Sequence, residues 1–140
     1  MKVAPIGKRW CPRCVDYLPI GAFRVGGRRP PAYCTVCTSE ISHTRNLAAN
    51  FGLTVADYEA LMDLQAERCA ICLTRPHRVR LAVDHSHASG EVRGLLCKRC
   101  NHKLLGAALD RQWVLRRAAA YLANPPARTR LPLETLGAAA

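Results

Sequence analysis

The sequence predicts a small, zinc-stabilised α+β fold in which bound metal substitutes for a large hydrophobic core. Three observations carry that expectation. The chain has 140 residues, enough for one ordinary domain or two very small ones. Only 6% of its residues are aromatic, so the apolar core is thin and bound ions would help to fix the fold. Its 8 cysteines all fall into Cys-x-x-Cys pairs: Cys11/Cys14, Cys34/Cys37, Cys69/Cys72 and Cys97/Cys100.

Two residues between thiols let a tight knuckle aim both sulfurs at one ion, and two knuckles complete a tetrahedral four-sulfur site. The pairs are separated by 19 residues (Val15 to Tyr33) in the first half and by 24 (Leu73 to Leu96) in the second, which gives two such sites. Zinc is favoured over iron, because an isolated four-cysteine site of this spacing is usually structural; iron of the rubredoxin type stays open. No stretch nears the roughly 18–20 consecutive apolar residues of a membrane span. Met1 to Trp10 lacks an apolar run of signal-peptide length. The expectation is a soluble, cytoplasmic protein, where disulfides are rare and thiols bind metal.

Taken in order, the elements follow from local signals. Pro19 to Ala32 holds Gly21, Gly26, Gly27, Pro30 and Pro31 and reads as a ribbon-like loop with Arg28 and Arg29 at its tip. A helix is expected over about Ser39 to Asn50, with Gly52 as its stop. Thr54 is an N-cap with Asp57 three residues on, a short-chain capping box, ahead of a helix over Val55–Glu67 whose apolar face is Tyr58, Leu61, Met62 and Leu64. Arg78 to Asp84 alternates polar and apolar as a half-buried strand. Ser89-Gly90 turns the chain, and Glu91 to Leu95 returns it. A helix is expected from Lys98 or Arg99 to about Leu109. Asp110 then caps a last amphipathic helix, Arg111–Ala123, with Trp113, Leu115 and Leu122 on its apolar side, ended by Pro125-Pro126. The tail from Ala127 reads as frayed. His43 and His77 read as surface residues, and His102 as structural or phosphate-contacting.

The formal net charge is +11, carried as +6 on residues 1–45, −1 on 46–90 and +6 on 91–140. Each zinc tetrathiolate adds two negative charges, so the metallated chain stands at about +7, still suited to a polyanion such as nucleic acid. Arg28, Arg29, Arg93, Lys98, Arg99 and Lys103 are the candidate phosphate contacts.

The stretch that carries chemistry is Val83-Asp84-His85-Ser86-His87, followed by Cys97-Lys98-Arg99-Cys100-Asn101. It puts Asp84 and His85 at the end of one hairpin strand and Asn101 at the start of the helix that the last knuckle anchors. Hard oxygen donors on Asp84 and Asn101 suit Mg²⁺ or Mn²⁺ with positions left for phosphate and water. An imidazole, with a free-state pKa of about 6.5, can take a proton from water near neutral pH, the role expected of His85. Together the groups suit metal-assisted phosphodiester hydrolysis with a single ion, leaving a 5′-phosphate and a 3′-hydroxyl.

Cys-Ala-Ile-Cys at 69–72, Val-Asp-His-Ser-His at 83–87 and Val-Arg-Gly-Leu-Leu-Cys-Lys-Arg-Cys-Asn at 92–101 resemble the phage recombination endonuclease VII family, a zinc-bound branch of the His-Asn-His (HNH) nucleases with a ββα-metal site. The resemblance covers roughly Leu53 to Leu122. It implies Asp84 and Asn101 as ligands of the catalytic ion, His85 as general base, Cys69, Cys72, Cys97 and Cys100 as structural zinc ligands, and His87 as a second active-site histidine able to contact phosphate. Leu104, one turn past Asn101, offers no extra carboxylate, so water and phosphate would complete the metal shell.

On this reading residues 1–50 form an added four-cysteine unit with Cys11, Cys14, Cys34 and Cys37 and a linking helix. Residues 51–124 form the nuclease domain, and 125–140 a flexible tail. The resemblance implies branched or distorted phage DNA as substrate, a homodimer and phage packaging proteins as candidate partners, and the host cytoplasm as the setting. A zinc module that binds nucleic acid without cutting it is the competing class. A redox or metal-storage protein is a third, disfavoured by the basic charge and the Asp-His-Asn set.

Overall fold

The computed structural model describes residues 5–24 and 30–126. The sequence-predicted positions of Arg28, Arg29 and the tail from Ala127 lie outside the described residues. The chain separates into two compact units, Met1–Ala60 and Leu61–Ala140. Among the described residues no helix is long and apolar enough to cross a membrane.

In the first unit, strands β1 (Lys8–Cys11) and β2 (Asp16–Pro19) pair antiparallel, from Lys8↔Pro19 to Cys11↔Asp16. Cys14 sits in the connection between them. The alternation of a strand turns Cys11 and Leu18 to one face, where they pack with Phe23, Ala22, Cys34 and Cys37. Trp10 and Tyr17 meet edge-on on the other face, ring centres 5.1 Å apart. Helix α1 (Thr35–Phe51) begins inside the second knuckle, four residues before the sequence signal, because Cys34 accepts the N–H of Thr38 at 2.9 Å. It stops where expected: Gly52 takes the left-handed conformation, and the N–H groups of Gly52 and Leu53 return to the carbonyls of Ala48 and Leu47.

The capping box forms as read. Asp57 Oδ2 accepts from the Thr54 N–H at 2.8 Å and from the Thr54 hydroxyl at 2.7 Å, while the Asp57 N–H donates to the Thr54 hydroxyl at 3.1 Å. Helix α2 (Val55–Leu64) follows. It ends before Glu67, since Ala66 and Glu67 both have positive φ. Tyr58 is buried and meets His43 edge-to-face at 4.7 Å, so His43 packs between α1 and α2 and is not a bare surface residue. Leu64, expected on the apolar face, is exposed.

In the second unit, β3 (Ala82–His85) and β4 (Val92–Leu96) form an antiparallel pair. The strand starts four residues later than its alternation suggested: Val79 is exposed, and only from Leu81 does the chain turn inward. Asp84 pairs with Gly94 and His85 with Val92, so Arg93 is the extra residue of a β-bulge. Gly94 is needed there. Its φ is +152, and a Cβ would lie 3.0 Å from Gln65 Oε1. That oxygen accepts the Leu95 N–H at 2.8 Å, and Gln65 Nε2 donates to the Leu95 carbonyl at 2.8 Å. One side-chain amide thus stands where a neighbouring strand would.

After β4 the chain winds as a π-helical segment, Arg99–Leu105, where the sequence suggested an ordinary helix; the Gly106 N–H reaches back to the Asn101 carbonyl. A short turn, α3 (Gly106–Ala108), and helix α4 (Gln112–Ala123) complete the fold. Helix α4 has no buried residue, and Trp113 and Leu122, expected to face a core, are exposed. Asp110 does not cap α4; no side chain does.

Two measurements check this account. Gly94→Ala should lower the stability of zinc-saturated protein in urea by about 1–3 kcal/mol, from backbone strain and the crowded Gln65 amide. The capping hydrogen bonds hold the Asp57 carboxyl below its ordinary value, chiefly through the Thr54 hydroxyl. Its contribution is therefore present above the unfolded-chain value and lost as pH falls through the folded one. Asp57→Ala should lower Tm at neutral pH, and the difference from wild type should vanish in acid.

Candidate metal centres and catalytic cluster

Each half of the chain brings four sulfurs together. In both sets, Cys11, Cys14, Cys34, Cys37 and Cys69, Cys72, Cys97, Cys100, every ligand atom lies within 4.8 Å of the others. Zinc–sulfur bonds of about 2.3 Å in a tetrahedron put sulfurs about 3.8 Å apart. The observed separations fit: Cys11–Cys37 3.9 Å, Cys14–Cys34 3.7 Å, Cys14–Cys37 3.4 Å and Cys72–Cys97 3.7 Å. A disulfide would require about 2.0 Å, and all eight thiols are free. The donor set and spacing fit structural zinc at both centres.

Backbone geometry is repeated between the two knuckles. Val15 follows Cys14 with φ 53 and Leu73 follows Cys72 with φ 58, a left-handed conformation that bulky residues rarely adopt. Amide N–H groups point at sulfur: Cys34 donates to Cys11 at 3.5 Å and Cys100 to Cys97 at 3.4 Å. The Cys34 N–H lowers the Cys11 thiol to about 6, and Thr74, whose hydroxyl is 3.4 Å from Cys72, lowers that thiol to about 6. Burial pushes Cys100 up to about 12. In each centre hydrogen bonds to sulfur favour one thiolate over its neighbours, and a bound cation displaces the remaining thiol protons.

The second centre brackets the hairpin. Cys69 and Cys72 precede β3, and Cys97 and Cys100 follow β4. At the end of β3 the Asp84 carboxylate is buried, and Arg93 grips it with both arms: Nε donates to Oδ2 at 2.7 Å and Nη2 to Oδ1 at 3.0 Å. Nη2 also donates to Asp110 Oδ1 at 3.1 Å. The other oxygen of Asp110 lies 3.1 Å from His87 Nδ1. His85 and His87 meet edge-on, ring centres 5.1 Å apart. Arg93 holds the Asp110 carboxyl below the usual carboxylate range, with His87 adding to the effect, and the two carboxylates raise Arg93 in turn, Asp84 most. A cavity of about 290 Å³ opens beside this network, lined by Asp84, Arg93, Asp110 and Gln112 together with Leu105 and Leu115.

Arg93, expected on phosphate, is thus committed to two carboxylates. Asn101 is half-buried in the π-helical segment, its N–H donating to the Cys97 carbonyl at 2.9 Å. Lys98, Arg99, Lys103 and His102 are exposed around the same segment, as is His77 elsewhere in this unit. For a catalytic Mg²⁺ or Mn²⁺ the donor chemistry is suitable. A carboxylate has about four lone-pair sites, of which Arg93 uses two on Asp84. Two carboxylates against one guanidinium leave a net negative charge. Asp110 was missed in the sequence, because an aspartate directly before a helix expected from Arg111 reads as its cap, and its partners Arg93 and His87 are distant in the chain.

A family model described as recombination endonuclease VII matches residues 44–124. The chain is similar to the Gene 59 protein of Mycobacterium phage D29, 44% identical over 90 residues, which is 64% of this chain and 54% of that protein. It is also similar to the Gene 59 protein of Mycobacterium phage L5, 42% identical over 90 residues, 64% of this chain and 55% of that protein. The chain spans about half the length of these curated relatives. No solved structure matches it. The first four-cysteine centre lies ahead of the matched region.

Elemental analysis should find zinc at both centres. Cys97→Ser should remove the ion of the second centre and unfold the hairpin site that it brackets, while the Cys11 centre keeps its own. Zinc at one centre or none in the wild-type protein would break the assignment.

Proposed function

Because the chain belongs to the recombination endonuclease VII family, we propose that it is a Mg²⁺- or Mn²⁺-dependent HNH endonuclease that hydrolyses DNA phosphodiester bonds at a ββα site with one catalytic ion. The observation that carries this reading is the bracketing of the β3–β4 hairpin by the second four-cysteine centre. The same cluster fixes the strand that ends in Asp84-His85 and the segment that starts with Arg99 and bears Asn101.

Asp84 and Asn101 would hold the divalent ion, which when bound supplies positive charge at the scissile phosphate and the leaving 3′ oxygen. His85 accepts the proton of the attacking water, whose in-line approach leaves a 5′-phosphate. His87 contacts the phosphate. Lys98, Arg99 and Lys103 hold the flanking backbone, by charge and without reading sequence; the sequence-predicted contacts Arg28 and Arg29 would add to this from the first unit. With no element that reads as a recognition helix, shape directs cutting, so branched or distorted duplex is the preferred substrate. Residues 51–124 carry this activity, residues 1–50 form an added zinc unit, and a homodimer and phage packaging proteins are the proposed partners.

One observation favours a second reading, a zinc module that binds nucleic acid without cutting it: Arg93 engages both oxygens of Asp84. A single panel decides between them. Zinc-loaded protein should nick supercoiled plasmid and cut a synthetic four-way junction faster than its matched linear duplex, only with Mg²⁺ or Mn²⁺ added. His85→Ala should slow cleavage by about 10²–10⁴-fold with DNA binding retained. Binding without divalent-dependent cleavage by the wild-type protein would select the second reading.

A further inference from the structure

The backbone between α3 and α4 makes a left-handed turn. Leu109 and Asp110 are consecutive non-glycine residues with φ 50 and 56. The turn is held by Leu109 N–H to the Gly106 carbonyl, 3.2 Å, Asp110 N–H to Leu105, 3.2 Å, and Arg111 N–H to Ala108, 3.0 Å. An aspartate at a helix start is ordinarily kept for the cap, yet here the cap is unused. The side chain is turned instead toward β3 and β4, where Oδ1 accepts from Arg93 and Oδ2 faces His87 Nδ1, each at 3.1 Å. An ion pair with so exposed a histidine (76% for the His87 side chain) adds little to stability. What the turn achieves is a placement: its three backbone hydrogen bonds hold the carboxylate where it bridges Arg93 and His87.

We propose that Asp110 is a positioning residue for His87. Arg93 fixes the carboxylate by one oxygen, which stops it rotating and leaves the other aimed at the imidazole. His87 Nδ1–H then donates to Asp110, so the neutral ring is held in the Nδ1–H tautomer with Nε2 left for substrate. The same ring, edge-on to His85, is kept at the mouth of the hairpin although it sits on the exposed connection between β3 and β4. Asp110 is thereby the second carboxylate of the site, delivered from the α3–α4 junction. The consequence for cleavage rests on the nuclease reading above; the placement of the imidazole does not.

Asp110→Asn tests this with the turn preserved, because asparagine tolerates the left-handed conformation. Its amide has one acceptor where the carboxylate had two. The charged Arg93 takes that oxygen, the amide NH₂ then faces His87, and the ring must accept at Nδ1. In nitrogen-15 imidazole spectra of the zinc-loaded full chain, taken at about pH 8.5 where histidine is neutral, His87 should be Nδ1–H in the wild type and switch to Nε2–H in the variant. Zinc content should not change. The variant should cleave about 10- to 100-fold more slowly. A wild-type ring found as Nε2–H, or a variant ring that stays Nδ1–H, overturns the proposal. A wild-type protein that shows the expected tautomers but never cuts DNA overturns the nuclease reading and leaves the placement of His87 standing.

Discussion

The fold depends on sulfur converging where a larger protein would pack hydrocarbon. Five of the thirteen buried apolar residues among those described are cysteines, and the first unit's core cluster contains three of them. Removing metal from such an interior does not leave a smaller core; it leaves unpaired thiols crowded within 4.8 Å of one another. Folding and metal binding are then one equilibrium. Val15 and Leu73 show how that free energy is used, since the first knuckle of each centre imposes a left-handed backbone on a residue that would avoid it in a peptide. The ion also replaces sequence-local stability in the second unit, where the hairpin has just two strands and would be marginal alone.

Much of this was legible in the residues because the signals are local. Cys-x-x-Cys spacing, the Thr54–Asp57 box, the stop at Gly52 and the turn at Gly90 depend on a few neighbours, and each took the expected form. What failed to read out depends on partners distant in the chain. Asp110 looked like a cap because nothing near it announces Arg93, seventeen positions back, as its partner. Arg93 looked like a phosphate contact because its bulge position, which lets it reach Asp84, exists only once β3 and β4 are in register. The exposure of Leu64, Trp113 and Leu122 marks the limit of periodicity: it finds an apolar stripe without saying whether anything covers it.

The charge distribution at the candidate site has its own logic. Asp84 is buried, and a buried carboxylate without a partner is costly. Arg93 offsets that cost by pairing with both oxygens of Asp84, and Asp110 takes the otherwise neutral pair to a net negative charge. The arrangement keeps an oxygen-rich, net-negative cluster folded, by means of one strand bulge and one left-handed turn.

The amide of Gln65 has a consequence of a different kind. A two-stranded sheet presents unpaired edges, and such edges recruit strands from other molecules into aggregates. At Leu95 both backbone groups on the outer side of β4 are already engaged by Gln65, and the Leu95 carbonyl is shared with the Ala70 N–H at 3.2 Å. An incoming chain finds no donor or acceptor in register at that point. The side chain that Gly94 makes room for thereby also protects the hairpin against intermolecular β-pairing at this point of the edge.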